Sequence, residues 1–207
     1  MPSEEEKDDT DSEGAGFCAW LRQYAAKASG GPVPKSEPFN QWDAFVVWGG
    51  VFGSLALLEL ALTILNGAHY RNEDNLFVLS GSFGALCTLL YAVPGGKLGQ
   101  PRIMFAAHTM AIVFSLMTIS VSTPGRMVWL QEASTVASTI LGMSLMNIIH
   151  PPAGALVLVF LAAHNKGASM ERIFTLVASV YVGLIIHMVM SILVNNLSPR
   201  RKFPTFW

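Results

Sequence analysis

Long apolar runs alternate with short polar loops along this chain, a pattern typical of a bundle of membrane helices. The loops are rich in glycine, proline, asparagine and charged residues, which favour turns. Each apolar run is long enough to cross the lipid core as a helix, or nearly so. The pattern therefore predicts an all-α integral membrane protein with about five transmembrane helices, near residues 44–66, 76–93, 102–121, 131–149 and 173–196.

The fourth run, within an apolar stretch from about residue 137 to residue 163, is interrupted by the motif His150-Pro151-Pro152-Ala153-Gly154-Ala155. Two consecutive prolines end an arriving helix but suit the first turn of a new one, so we expect a short helix to start at Pro151 or Pro152. As one straight helix, residues 132–163 would measure about 48 Å, too long for a core of about 30 Å. Either the segment crosses obliquely with a break, or its second part returns as a re-entrant half-helix.

Charge divides the chain into two parts. Residues 1–43 carry nine acidic and four basic side chains, whereas the remainder carries five acidic and nine basic ones. We expect residues 1–41 to form an acidic, largely disordered tail with a short interfacial helix, and residues 42–207 to form the transmembrane domain. Only 13% of the residues are charged and the mean hydropathy is +0.45, as expected for contact with membrane lipids. The basic body suits an anionic ligand, although such residues also contact lipid headgroups.

Polar residues inside the predicted spans are the candidate binding residues. Glu59 lies well inside the first span, where a carboxylate is usually paired, protonated or part of an ion pathway. Arg102 follows Pro101 at a helix start, which adds partial positive charge, and His108 lies about 9 Å deeper along the same helix. We expect Arg102 to face the interior, close to His150. The predicted substrate-binding residues are Glu59, Arg102, His108, His150, Pro151, Pro152 and Gly154.

Each candidate also has a structural interpretation. The broken segment can be a packed kink, the histidines can be interhelical hydrogen-bond partners, and Glu59 can form an ion pair with Arg102. Five spans can hardly enclose a polar path alone, so we expect a homo-oligomer or a subunit of a membrane complex. Small residues allow close helix packing, and we expect four glycines at helix contacts: Gly49, Gly53, Gly81 and Gly84.

Other classes of protein are disfavoured. The two cysteines, Cys18 and Cys87, support neither a disulfide framework nor a metal site. There is no phosphate loop, metal-ligand spacing or nucleophile paired with a base, so we expect no enzyme activity, no cofactor and no nucleic-acid partner. Haem binding stays a remote alternative, which would need two histidines facing each other from opposite helices.

Several motifs together resemble the HPP family of integral membrane proteins, over roughly residues 42–207. The resemblance rests on the HPPAGA stretch that begins at His150, on Gln100-Pro101-Arg102 followed by His108, on Asn195-Asn196-Leu197, and on the ending Phe203-Pro204-Thr205-Phe206-Trp207. Two departures are visible: Ile103 stands where the family usually has asparagine, and Ala106-Ala107 replaces a glycine before His108.

The family resemblance implies transport of a small inorganic anion. Family members are described as transporters, and plant and cyanobacterial members are linked to nitrite passage across plastid-type membranes. This implies a nitrite transporter or channel in a plastid or other organelle envelope, or in an inner or plasma membrane. The alternative is a structural or accessory subunit of a larger membrane complex, in which the histidines would only pack.

Overall fold

The computed structural model describes residues 40–66, 76–198 and 200–207, together with Ala19 and Arg22, which are helical and exposed. The chain divides into two units, residues 1–38 and 39–207. The predicted tail and its interfacial helix fall almost entirely outside the described residues and stay predictions. The described residues of the second unit form six α-helices: α1 (Gln41–Asn66), α2 (Leu76–Cys87), α3 (Pro101–Val121), α4 (Val128–Leu145), α5 (Pro151–Asn165) and α6 (Met170–Asn195).

All regular structure in the described part of the chain is helical, which confirms the all-α class. A π-helical turn, Thr88–Ala92, extends α2, and a 3₁₀ turn, Lys97–Gly99, precedes α3. Three of the described helices are long and apolar enough to cross a membrane: α1, α3 and α6. The second half of α2 and all of α5 are shorter apolar helices. Five helices thus lie at the predicted spans, and the sixth begins at the predicted break.

Hydrogen bonds identify two ends of the bundle. At the first, called here the Gln100 end, Gln100 Oε1 accepts a hydrogen bond from the backbone N–H of Thr205 at 2.9 Å, and Ser198 meets Asp43 at 3.5 Å. At the opposite end, Ser122 and His164 lie 3.2 Å apart. The start of α1, the start of α3 and the C-terminal residues therefore share the Gln100 end.

The break at His150 is a reversal of direction. Asn147 adopts a left-handed conformation (φ 55°) after α4, and Ile148 N–H donates to the Met143 carbonyl at 2.9 Å, a common way to end a helix. Helix α5 then packs against α4 and runs from His150 to the opposite end. The second part of the segment therefore returns as a helix, but it reaches the opposite end of the bundle instead of forming a re-entrant half-helix.

Helix α5 is the central helix of the bundle. It packs against α2, α3, α4 and α6, and more than half of its residues are buried, from Pro152 to His164. Its 15 residues measure about 22 Å, less than the thickness of a lipid core. The helix can be this short because it starts inside the bundle, where His150 contacts the carbonyl of Leu98 in the turn that precedes α3.

Two glycines allow large rings to reach the core. A side chain at Gly50 would collide with the ring of Tyr91, and one at Gly183 would collide with the ring of Phe83. Of the glycines predicted at helix contacts, Gly53 faces Met190 of α6: a Cβ added at Gly53 would lie 3.2 Å from the Met190 Cε atom. The other three, Gly49, Gly81 and Gly84, have open space beside them in the single chain.

Candidate functional site

Three histidines from three different helices lie fully buried in the first third of the bundle, measured from the Gln100 end. His108 is on α3, His150 immediately precedes α5, and His187 is on α6. His108 lies about 10 Å from the start of α3 and His187 about 12 Å from the end of α6, at 1.5 Å per residue. The two helices therefore carry these side chains at similar depth. We call His108, His150 and His187 the histidine site.

The rings of His108 and His150 are in contact. Their centroids lie 5.0 Å apart and the rings are tilted by 57°. The reversal at Asn147 makes this contact possible, because it brings His150 back beside α3. Both residues were predicted as binding residues from their positions in the sequence, and the structure brings them together.

His187 completes the site and was missing from the predicted set. Its ring stacks on Phe83 of α2, with centroids 4.9 Å apart and an interplanar angle of 15°, and it lies within electrostatic range of His108. Gly183, one turn earlier on α6, provides the space for Phe83. A histidine inside an apolar run was the signal available in the sequence, the same signal that singled out His108.

Each histidine uses one ring nitrogen and leaves the other without a partner. Nδ1 lies 2.7 to 2.8 Å from a backbone carbonyl: that of Met104 for His108, Leu98 for His150 and Gly183 for His187. A carbonyl oxygen only accepts, so Nδ1 carries the proton in each ring. All three Nε2 atoms are buried without a hydrogen-bond partner. In the neutral ring Nε2 is an acceptor, so the site presents three unused lone pairs.

The start of α5 offers little to an anion. Pro151 and Pro152 have no N–H, and the N–H of Ala153 donates to the His150 carbonyl at 3.0 Å. The positive character of a helix start resides largely in its free N–H groups. The start of α5 therefore carries little positive character. Pro151 itself is exposed, whereas Pro152 is buried and its carbonyl accepts from Ser82 Oγ at 2.8 Å.

Gly154, the last predicted binding residue on α5, is half-buried, and no atom lies within 4 Å of the position of an added Cβ. Space is therefore open beside this glycine in the single chain. Its role in binding stays a prediction.

Arg102 does not face the interior. Its side chain is exposed on α3, whereas Pro101, Ile103 and Met104 around it are buried. The expectation that Arg102 lies inside the protein beside His150 is therefore wrong for the single chain. The predicted alternative, an Arg102–Glu59 ion pair, is also not formed: in the described part of the chain the recorded ion pair joins Arg200 to Asp43 at 3.8 Å.

Glu59 lies apart from the histidines. It is half-buried and lines a groove of about 670 Å³ on the outer face of α1, together with apolar side chains that include Trp48 and Phe52. All of the groove's lining residues belong to α1. The structure therefore places this carboxylate on the surface of the bundle, and it does not join the site predicted for it.

The histidine site is not arranged as a metal centre. Among the described residues no group of three or more His, Cys, Asp or Glu side chains is placed to hold a metal ion. His108 and His150 are in ring contact and leave no layer for a haem macrocycle between them. The site can accept hydrogen bonds when neutral, and can donate one when a ring takes up a proton.

Apolar helices around a buried polar site define an integral membrane protein. The chain belongs to the HPP family: the family's sequence profile, described as the HPP transmembrane region, matches residues 36–204. This confirms the resemblance based on the His-Pro-Pro motif and its companion motifs.

Curated relatives include two transmembrane proteins of Dictyostelium discoideum. One is 30% identical over 190 residues and the other 27% identical over 197 residues, covering 89% and 92% of this chain. The matches cover 57% and 66% of the relatives, so the chain spans about three-fifths of their length. No solved structure matches the chain.

Proposed function

We propose that this protein transports a small inorganic anion across a membrane, and that nitrite is the substrate. The observation that carries the proposal is the ring contact of His108 and His150, buried at the break of a membrane segment with both Nε2 atoms free. Intramembrane ionisable groups of this kind typically mark a substrate or proton pathway. Irregular backbone inside a membrane domain is likewise tolerated where it is packed in protein or lines a cavity. Membership of the HPP family, whose plant and cyanobacterial members are linked to nitrite, supports this choice of anion.

The test is nitrite flux into liposomes that contain only the purified protein, compared with protein-free liposomes. We expect protein-dependent uptake, and a loss of at least tenfold in His108→Gln and in His150→Gln. His164→Gln is the matched control, because His164 lies at the opposite end of the bundle, where it contacts Ser122. Monodisperse elution and an unchanged circular dichroism spectrum show that the variants fold. Absence of protein-dependent nitrite flux contradicts the proposal.

One observation favours the second candidate, a subunit of a membrane complex or homo-oligomer. Glu59 lies in an apolar groove on the outer face of α1, and no ion pair involving it is recorded among the described residues. A carboxylate inside a membrane helix is usually paired or faces other protein. Copurification of a stoichiometric partner, together with no flux from the isolated chain, supports this candidate over the first. Cross-linking from a cysteine at Ala56, beside Glu59, distinguishes a second copy from a different chain.

A further inference from the structure

We propose that the anion occupies the histidine site together with one proton, so that transport is electroneutral. This inference rests on the proposed anion transport and specifies how the same site binds its substrate. Its basis is the combination of three unpartnered Nε2 atoms, a helix start whose first donors are missing or used, and the lack of a buried charged side chain among the described residues.

The surroundings of the histidine site contain no buried charge. None of the described Asp, Glu, Lys or Arg side chains is buried. On the elements packed around the histidines, the charged side chains are exposed or half-buried: Lys97, Arg102, Glu132, Lys166, Glu171 and Arg172. The other buried titratable groups contact different residues: Cys87 and Tyr91 pack against Ser54 and Gly50 of α1, and His164 contacts Ser122 at the opposite end. A bare anion at the histidines would therefore lack a counter-charge, which is strongly unfavourable in a medium of low dielectric constant.

The neutral site also lacks donors for an anion. With Nδ1 protonated and bonded to a carbonyl, each neutral ring presents only the Nε2 lone pair, which repels the lone pairs of an anion. Two donors at the start of α5 are already used, because Ser82 Oγ binds the Pro152 carbonyl and the Ala153 N–H binds the His150 carbonyl. A proton taken up at one Nε2 supplies both missing elements at once, a donor and a positive charge.

Charge neutrality also favours an anion that binds with a proton over a cation as the ligand of the site. An ammonium ion could donate to the free Nε2 atoms, but its charge would remain uncompensated because no described carboxylate is buried. Nitrite and one proton together carry no net charge, whether the proton resides on the ring or on the anion. In one transport cycle the proton enters at one Nε2 from one side and leaves with the anion on the other side, so no net charge crosses the membrane.

The experiment measures which force drives uptake into liposomes containing the purified full-length protein, after subtraction of the uptake by protein-free liposomes. A potassium gradient with valinomycin sets the membrane potential at equal pH, and a separate series sets a pH gradient at zero potential. For uptake of the bare anion, 100 mV changes the equilibrium accumulation about 50-fold. For uptake with one proton, we expect no response to potential and about tenfold accumulation for each pH unit of interior alkalinity.

A variant makes the test more specific. Glutamine at position 150 offers a permanent N–H donor but cannot take up a proton, so His150→Gln is expected to lose accumulation driven by the pH gradient. His164→Gln is expected to retain it. Protein-dependent nitrite uptake that follows the potential and ignores the pH gradient overturns the electroneutral mechanism while anion transport stands. Unchanged pH-driven accumulation in all three single variants, His108→Gln, His150→Gln and His187→Gln, also overturns it. Absence of any protein-dependent uptake overturns the proposed function itself.

Discussion

Replacing Asn195 with alanine should destabilise the Gln100 end of the bundle. The fully buried side chain connects three segments. Its Nδ2 donates to the Leu90 carbonyl at 3.1 Å and to the Ser191 carbonyl at 2.9 Å, and its Oδ1 accepts from Arg201 Nε at 3.1 Å and Nη2 at 2.7 Å. Arg201 also donates to the Tyr91 carbonyl.

These contacts matter because α2 ends in a π-helical turn. The last carbonyls of any helix lack partners within it, and a buried carbonyl without a donor is unfavourable. Asn195→Ala leaves the Leu90 carbonyl without its side-chain donor, which costs about 1 kcal/mol. It also removes a charge-assisted contact with Arg201, worth about 1.5–2 kcal/mol. We therefore expect the free energy of unfolding to fall by about 2–3 kcal/mol, a roughly 30- to 150-fold change in the unfolding equilibrium.

The assay is equilibrium unfolding in mixed detergent micelles, with the fraction of SDS raised and helix content followed by circular dichroism. A double-mutant cycle with Arg201→Ala isolates the Asn195–Arg201 term, which we expect to be about 1.5 kcal/mol. Asn196→Ala is the neighbouring control, since Asn196 is exposed and bonds to Phe203 instead. Such hydrogen bonds contribute about 1 kcal/mol each. If Asn195→Ala lowers the free energy of unfolding by less than about 0.5 kcal/mol and shows no coupling to Arg201, this account of the helix end is refuted.

Two further predictions concern the site. Gly183→Ala places a methyl group within 2.3 Å of the Phe83 ring, and we expect the overpacking to lower stability by about 1–3 kcal/mol. Because that ring stacks on His187, we also expect reduced nitrite flux. Gly154→Ala is the control: with open space around it, the change in stability should be less than about 1 kcal/mol. Arg102→Gln should leave folding and flux within about twofold of the parent, because an exposed charge contributes little to stability; a tenfold loss of flux in liposomes at unchanged expression would show that Arg102 acts on the substrate after all.

The helices and the break could be predicted because their causes are local. Apolar run length defines a membrane helix, and a double proline ends one helix and starts another whatever surrounds it. The observed bounds differ from the predicted ones by a few residues, chiefly at the ends of α4, where Asn147 in a left-handed conformation ends the helix before the prolines. The central position of α5 could not be predicted in this way, because it depends on contacts with helices that are distant in the sequence.

The position of Arg102 could have been predicted better from helix geometry alone. Residues six apart on an α-helix differ by about 240° in direction, so Arg102 and His108 cannot share a face. The residues that do share the face of His108 are Met104, Ala111 and Ser115, and all of them are buried. Arg102 lies at a helix start, which favours anion binding, but the helical period directs its side chain to the surface of the bundle.

His187 illustrates what a single sequence cannot provide. It lies 79 positions after His108 and 37 after His150, and no local pattern indicates which face of α6 meets α3. Its place in the site follows from the packing of Phe83 against Gly183, two residues one hundred positions apart. Long-range ring packing of this kind is decided by side-chain shape, which the apolar pattern leaves open.

The His-Pro-Pro motif combines two requirements that conflict in most membrane segments, broken backbone and burial. Unpaired backbone groups are unfavourable inside a membrane protein, and this motif reduces their number. Its prolines have no N–H, the His150 carbonyl accepts from Ala153, and the Pro152 carbonyl accepts from Ser82. His150 then uses Nδ1 to bind the Leu98 carbonyl, which fixes the ring and the loop above it. The one polar side-chain atom left over is Nε2, so the motif presents a single, oriented nitrogen to the interior and little else that a solute could bind.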